Sequence, residues 1–142
     1  MFLGRFGHNL DAKGRLAIPA KFRSALAEGL VVTRGIDRCL TVYPLAAWQV
    51  LAEKVSALSI SDPDARLLKR MVFGEAVDEE LDAQGRIVLP PELRRYAGID
   101  REATVVGMNT HLELWDPARW DELTATVEGE GASIAQRLAD LI

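Results

Sequence analysis

The chain has 142 residues, 49% of them hydrophobic and 27% charged, which is typical of a globular protein with one compact domain. Its formal charge of −4 excludes a protein that is polycationic throughout, although a local basic face remains compatible with it. It lacks the apolar run of about eighteen residues that spans a bilayer, and its first residues lack a signal-peptide core. We therefore expect a cytoplasmic protein without a membrane segment.

The first predicted elements surround a tight turn at residues 11–15. Asp11 can accept hydrogen bonds from backbone amides two residues on, and Gly14 supplies the positive φ that a sharp reversal needs. A short strand leads into the turn, and Pro19 marks the start of a helix that Gly29 closes. The elements expected after the turn are a strand at residues 16–18, a helix at 20–28, and strands at 30–33 and 40–43. The unit is β-β-α-β-β.

Two helices are predicted next. Apolar residues between Leu45 and Leu58 recur at helical spacing, and Ser61-Asp62-Pro63-Asp64 is a typical start for a second helix, which Gly74 should stop. The acidic residues that follow have no ligand set around them, so we interpret them as a solvated linker: Glu75, Asp78, Glu79 and Glu80.

The turn then recurs. Residues 10–19 reappear at residues 81–90, an offset of 71, with six of ten positions identical. The later strands of the two copies also correspond, and Trp48 corresponds to Trp120. The second copy is expected to have a short strand before its turn, strands at 87–89, 104–106 and 111–115, and a helix at 91–97, closed by Gly98. A unit of about 45 residues is too small to bury a convincing core alone, so we expect the two copies to form a pseudo-twofold pair.

The C-terminal segment is predicted to hold two short helices. Pro117 opens the first, to about Val127; the run Glu128-Gly129-Glu130-Gly131 reads as a flexible joint; residues 133–142 form a last amphipathic helix. Such a short helix is marginal alone and should dock on its own body or on a neighbouring subunit. The domain boundaries expected are a first repeat at 5–47, a helical linker at 48–75, a second repeat at 76–119 and C-terminal helices at 120–142.

The sequence gives little support for a catalytic site or a metal site. Cys39 is the one cysteine, so no intrachain disulfide forms, and His8 and His111 offer too few ligands for a Cys/His metal site. Neither histidine is placed to activate Cys39, which we interpret as a small buried hydrophobe. We expect the three tryptophans, Trp48, Trp115 and Trp120, to lie in the core. No catalytic triad or phosphate-cradling glycine loop is present, so we expect no enzyme, no cofactor and no metal.

The positive charge is concentrated at the N-terminal end. Residues 1–38 carry +4 and the remainder −8, a pattern typical of a protein with one anion-facing side. Arg15 follows the turn directly, and its planar five-donor fork suits phosphate oxygens or the edge of guanine. An alternative is that Arg15 only pairs with Asp11 to fix the turn. The second copy keeps Asp82 and Arg86 but replaces the lysines by Gln84 and Glu92, so we expect Asp-x-x-Gly-Arg to be structural in both copies and the first copy to add the anion-binding surface.

These two motifs, in this context, resemble the MraZ family of bacterial transcriptional regulators over nearly the whole chain. Each copy is similar to the AbrB-type swapped-hairpin module, in which the strands of two units interleave. The resemblance therefore implies an α+β fold with a mainly β core: two tandem β-β-α-β-β swapped-hairpin repeats form a pseudo-twofold barrel, with linking and C-terminal helices.

The resemblance also implies a function. MraZ proteins are sequence-specific DNA binders that act at short direct repeats upstream of their own gene, which heads a cell-division and cell-wall cluster. They usually repress it, as ring-like homo-oligomers of octamer type. We accordingly expect double-stranded DNA as the partner, at the nucleoid. The expected DNA-binding residues, with Arg15 central, are Arg5, His8, Asp11, Lys13, Arg15, Lys21 and Arg23; Asp82 and Arg86 form a mainly structural second motif. An oligomeric scaffold that binds an acidic protein partner through the same basic face is the alternative.

Overall fold

The computed structural model describes all residues, 1–142, and confirms the β-β-α-β-β unit in both halves. The first half contains β1 (Arg5–Asn9), β2 (Arg15–Ala17), α1 (Ala20–Arg23), a 3₁₀ turn (Ser24–Leu26), β3 (Leu30–Arg34) and β4 (Leu40–Pro44). The second contains β5 (Val77–Glu79), β6 (Arg86–Val88), α4 (Pro91–Ala97), β7 (Glu102–Gly107) and β8 (Leu112–Trp115). Between them lie α2 (Leu45–Ser56) and α3 (Pro63–Gly74), and the chain ends with α5 (Pro117–Leu138) and a 3₁₀ turn (Ala139–Leu141).

The two halves exchange their first strands. Six strands form an antiparallel sheet in the order β1-β7-β8-β4-β3-β5, while β2 and β6 pair with each other separately. Strand β1 of the first half thus pairs with β7 of the second, and β5 of the second half pairs with β3 of the first. The order reads the same from both ends when the halves are interchanged, as a pseudo-twofold relation requires. This is the swapped-hairpin fold that the family resemblance implies.

The exchange produces one core shared by both halves. Nineteen buried apolar residues form a single cluster, to which equivalent positions contribute in pairs, such as Leu16 with Ile87 and Ile18 with Leu89. A smaller cluster joins Cys39, Val106 and Trp115. Because each half completes the sheet edge and the core of the other, neither half has an apolar interior of its own, as the short length of the unit predicted.

The linking helices begin and end close to the predicted positions. The side chain of Asp62 caps α3 by accepting the backbone N–H of Asp64 at 2.9 Å, with Pro63 in the first turn. Trp48 on α2 packs between Tyr43 and Phe73. Of the three tryptophans expected in the core, Trp115 is buried, whereas Trp48 and Trp120 are half-buried. None of the helices combines the length and apolar composition that crossing a bilayer requires.

Three sequence predictions need correction. Helix α1 is shorter than residues 20–28, because the chain tightens into a 3₁₀ turn before Gly29. The joint expected around Gly129 and Gly131 does not exist: α5 is continuous through both glycines, whose cost of about 1 kcal/mol each is evidently offset by the helix-forming residues around them.

The acidic segment is the third correction, since it is only partly a solvated linker. Its residues Val77–Glu79 form β5 on the otherwise free edge of β3. Glu79 is half-buried there and its Oε1 accepts the Val88 N–H at 2.8 Å, while burial raises the pKa of this carboxyl. Glu75 pairs with Arg34 at 3.2 Å. The repeat predicted a short strand before the second turn, so the correction concerns only the interpretation of these acidic residues as a solvated linker.

Candidate nucleic-acid interface

The two Asp-x-x-Gly-Arg turns are built alike. In the first, Asp11 Oδ1 accepts the backbone N–H groups of Lys13 and Arg15, both at 2.9 Å, and Gly14 has φ +75°. Asp11 Oδ2 accepts the Arg15 Nε–H at 2.6 Å. In the second, Asp82 makes the same three contacts, to Gln84, Arg86 and the Arg86 Nε–H, at 2.9, 2.8 and 2.7 Å. The motif therefore fixes both turns and at the same time orients an arginine in each.

The turns lead into a two-stranded antiparallel ribbon formed by β2 and β6, which we call the ribbon (residues 15–17 and 86–88). Leu16 lies opposite Ile87, and this buried central pair marks the pseudo-twofold axis. Because side chains alternate along a strand, the neighbours of this pair project from the other face. The residues of that outer face are Arg15, Ala17, Arg86 and Val88, all half-buried or exposed.

The ribbon brings the two motifs together, which the sequence did not predict. Arg86 Nη1 lies 3.7 Å from Asp11 Oδ2, the oxygen that binds Arg15. Arg15 and Arg86 are diagonal neighbours across the ribbon, a relation that separates Cα atoms by about 7–8 Å. The second turn was expected to be mainly structural, so its presence on the same surface enlarges the candidate site. The strand exchange that causes it leaves no local sequence signal.

Charge and exposure leave much of this site available to a ligand. The Arg15 Nη groups and the Lys13 ammonium have no acceptor within the chain, whereas Arg86 Nη2 donates to Gln84 Oε1 at 3.3 Å. The backbone N–H of Arg15, and then its guanidinium, lower the pKa of Asp11; those of Arg86 lower the pKa of Asp82. Both carboxylates are therefore charged at neutral pH and hold the arginines in place.

Arg23 has an internal contact. Its Nε donates to the carbonyl of Ile18 at 2.9 Å, and its guanidinium covers Gly85 of the second turn. Arg94 repeats the arrangement, donating to Leu89 O at 2.9 Å and covering Gly14. Each arginine thus braces the turn of the other half. The signal was present in the sequence, because Arg94 follows Arg23 at the offset of 71 residues that relates the motifs.

The remaining expected site residues lie on β1 or against it, away from the turn. Arg5 begins β1 opposite Val106, at the end of the strand remote from residue 11. The Lys21 ammonium lies 5.0 Å from the centre of the Phe6 ring, so it is held near the same end. His8 is half-buried opposite Ala103, in the middle part of the strand. The structure therefore divides the candidates between the ribbon and a separate basic flank, Arg5 and Lys21.

Other chemically notable groups lie elsewhere. Cys39 is buried, and burial raises the pKa of its thiol to about 12, as suits a core residue. A cavity of about 290 Å³ lies between the linking helices and the sheet, with Arg34, Tyr43 and His111 among its lining residues. Burial lowers the pKa of His111. No residue of the ribbon lines this cavity.

Two interleaved β-β-α-β-β units, joined at a ribbon that carries an arginine from each, define a tandem swapped-hairpin protein. The family described as "MraZ protein, putative antitoxin-like" matches this chain twice, at residues 1–71 and 72–141. The chain belongs to the MraZ family, as its motifs indicated.

Relatives in several bacteria match over almost their whole length. The "Transcriptional regulator MraZ" of Thermomicrobium roseum is 63% identical over 142 residues, which is 100% of both chains. The proteins of the same name from Roseiflexus castenholzii and Herpetosiphon aurantiacus are 48% and 50% identical, covering 99% and 98% of this chain and 99% and 97% of their own.

Proposed function

We propose that this protein is a sequence-specific DNA-binding transcriptional regulator that contacts DNA through the ribbon. The observation that carries the proposal is the pair of arginines, one from each half, on the outer face of a two-stranded antiparallel ribbon. A ribbon of this kind fits the major groove of B-DNA, and the arginine fork pairs with guanine O6 and N7. The name of the relatives, transcriptional regulator, agrees with this reading.

The spacing of the two arginines suits a base-reading role. Diagonal neighbours about 7–8 Å apart match roughly two base-pair steps of about 3.4 Å each. Arg15 has free Nη groups and takes the central position, and Arg86 contacts the adjacent bases. Asp11 and Asp82 orient these arginines rather than meeting DNA directly.

Phosphate contacts come from the cations around the ribbon. Lys13 stands at the tip of the first turn, and Arg5 and Lys21 extend the contact along β1. Arg23 contributes mainly by bracing the second turn, with its remaining N–H groups toward phosphate. His8 adds a donor from β1. Such contacts fix the register of the protein on the duplex while the ribbon reads the sequence.

An oligomer is the form in which this site becomes effective. A few phosphate contacts bind weakly at physiological salt, but several ribbons acting on repeated sites gain roughly 10²–10⁴ in avidity. Helix α5 has no buried residue, and one of its faces is apolar: Leu123, Val127, Ile134 and Leu138, continued by Leu141 of the 3₁₀ turn that follows. Leu138 is 49% exposed and Leu141 79%, which supports docking of this α5 apolar face on a neighbouring subunit.

The biological role that we propose is the one that the family resemblance implies. We propose a ring-like homo-oligomer of octamer type that binds short direct repeats in its own promoter and represses the cell-division and cell-wall genes downstream, acting at the nucleoid. We propose no catalytic role for the protein.

A gel-shift titration of the full-length protein on DNA from upstream of its own gene, at fixed salt, tests the proposal. Arg15→Ala should abolish the specific complex while circular dichroism shows an unchanged fold. Arg70→Ala is the matched control, because Arg70 is an exposed arginine of α3 without an ion pair. Equal affinity of Arg15→Ala and Arg70→Ala would refute the assignment. Retention of acidic proteins but not of DNA would instead favour the scaffold function.

A further inference from the structure

The two turns of the ribbon differ at one position. Their residues correspond in pairs, with identical aspartate, alanine, glycine and arginine, except that Lys13 of the first turn stands where Gln84 stands in the second. The three hydrogen bonds that the aspartate accepts are also the same in both turns. The outer surface that the pseudo-twofold axis should make symmetric is therefore asymmetric at its two tips.

This difference changes the arginine beside it. Gln84 Oε1 accepts a hydrogen bond from Arg86 Nη2 at 3.3 Å, so Arg86 is engaged at three nitrogens: Nε with Asp82, Nη1 toward Asp11, and Nη2 with Gln84. Arg15 is engaged at Nε alone. The first turn thus offers a free guanidinium fork and an ammonium, and the second offers a restrained guanidinium and a carboxamide.

These two sets recognise different bases. A lysine ammonium donates to phosphate or to guanine, whereas a glutamine carboxamide both donates and accepts and so matches adenine N7 and N6. The bond between Gln84 and Arg86 is long and exposed, so the carboxamide can exchange it for a base edge at little cost. Glutamine is also uncharged, so its contribution does not depend on counterion release.

Resting on the proposed function, we infer that Gln84 is a specificity-determining residue and that the Lys13/Gln84 difference makes each chain read an asymmetric sequence, with adenine favoured on the Gln84 side. A DNA-binding ribbon with two identical turns would match an inverted repeat within its footprint. A ribbon with two different turns binds its site in one orientation. Subunits arranged in the same orientation along DNA therefore select copies of the site in the same orientation.

Selection of binding sequences from random double-stranded DNA tests this inference, using the full-length protein and its Gln84→Ala, Gln84→Lys and Lys13→Gln variants. The wild-type site should be asymmetric within one ribbon footprint. Gln84→Ala should lower the preference for adenine at one position by between about 5- and 150-fold, the range for loss of one bidentate contact. Gln84→Lys and Lys13→Gln, which make the tips equal, should both select more symmetric sites.

The salt dependence of binding separates charge from base reading. Gln84→Lys should steepen the slope of log K against log salt by about 0.9, whereas Gln84→Ala should leave the slope unchanged. A symmetric wild-type site, or identical selected sites for the wild type and all three variants, overturns the inference while the Arg15→Ala result still stands. Because Gln84 is exposed, these changes should leave unfolding free energies within about 0.5 kcal/mol of the wild type.

Discussion

The Nη1 nitrogen of Arg86 lies 3.7 Å from Asp11 Oδ2, so a carboxylate of the first half faces a guanidinium of the second. The same oxygen accepts the Arg15 Nε–H at 2.6 Å. Asp82 has no equivalent second contact, since it bonds only to its own turn. The carboxylate of Asp11 is therefore the point where the two motifs act as one site.

Replacing the two aspartates by asparagine should have unequal effects on DNA recognition. Asp11→Asn removes the negative charge that holds both arginines, whereas Asp82→Asn affects Arg86 alone. We expect Asp11→Asn to reduce the ratio of specific to non-specific affinity by up to about fivefold, and Asp82→Asn to reduce it by less, because exposed ion pairs are weak. Competition gel shifts with specific and random DNA measure this ratio. Equal losses in both variants would show that the contact between the halves has no part in recognition.

Lys13 should act through charge alone. Lys13→Ala is expected to weaken binding to all DNA sequences to a similar extent and to reduce the slope of log K against log salt by about 0.9. Lys54→Ala, which removes an exposed lysine from α2, serves as the control and should leave the slope unchanged. A change in sequence preference for Lys13→Ala would indicate a base contact instead.

Two glycines allow a paired test of the folded structure. Gly85 has φ +73°, which side chains rarely adopt, and a Cβ there would displace the Arg23 side chain, so Gly85→Ala should destabilise the protein by about 1–3 kcal/mol. Gly129 lies within α5 with open space around it, so Gly129→Ala should stabilise the helix by about 1 kcal/mol. Urea unfolding followed by circular dichroism gives both values. A destabilising Gly129→Ala would argue for a joint in place of a continuous α5.

Stability should fall in acid partly through the two turns. The pKa values of Asp11 and Asp82 are below the ordinary 3.8 in the folded state, chiefly because backbone N–H groups donate to the carboxylates. In the pH range between the folded and unfolded pKa values, the unfolded chain binds more protons, so this contribution is complete above about pH 5 and is lost as the pH falls through 3.8 toward the folded pKa. The pKa of Glu79 is raised, so its contribution to stability has the opposite pH dependence and is lost as the pH rises.

Unfolding titrations at a series of pH values measure this dependence. The double variant Asp11→Asn/Asp82→Asn should be less stable than the wild type at pH 7 and should lose less stability between pH 5 and pH 3. The same pH dependence of the unfolding free energy in both proteins would contradict this prediction.

The α5 apolar face should control assembly. Leu138→Lys places a charge on this face and is expected to shift the protein to smaller species in size-exclusion chromatography with light scattering. It should also lower affinity for DNA with several sites far more than for a single site, because avidity is lost. Gln136→Lys, on the opposite side of the same helix, is the control. An unchanged mass for Leu138→Lys would place the subunit contact elsewhere.

The sequence predicted the local structure well because its causes are local. Asp11, Gly14 and Arg15 fix a turn within five residues, and the repeat of these residues 71 positions later shows that a second turn exists. The family resemblance supplied the strand exchange.

The relations missed were those between distant residues. The contacts of Arg86 with Asp11 and of Arg23 with Gly85 depend on how the halves interleave, which no local pattern encodes. The continuity of α5 was not predicted, because Gly129 and Gly131 were interpreted as a joint although the residues around them favour a helix.

The covalent fusion of the two interleaved units has an evolutionary consequence. In an assembly of two separate identical copies, any mutation at a turn tip appears twice, so both ends of the recognition surface must change together. Once the copies are joined in one gene, each tip can drift alone while the shared interior stays under common constraint. A single codon change, such as the one that distinguishes residue 84 from residue 13, can then give new targets to a regulator whose scaffold is untouched.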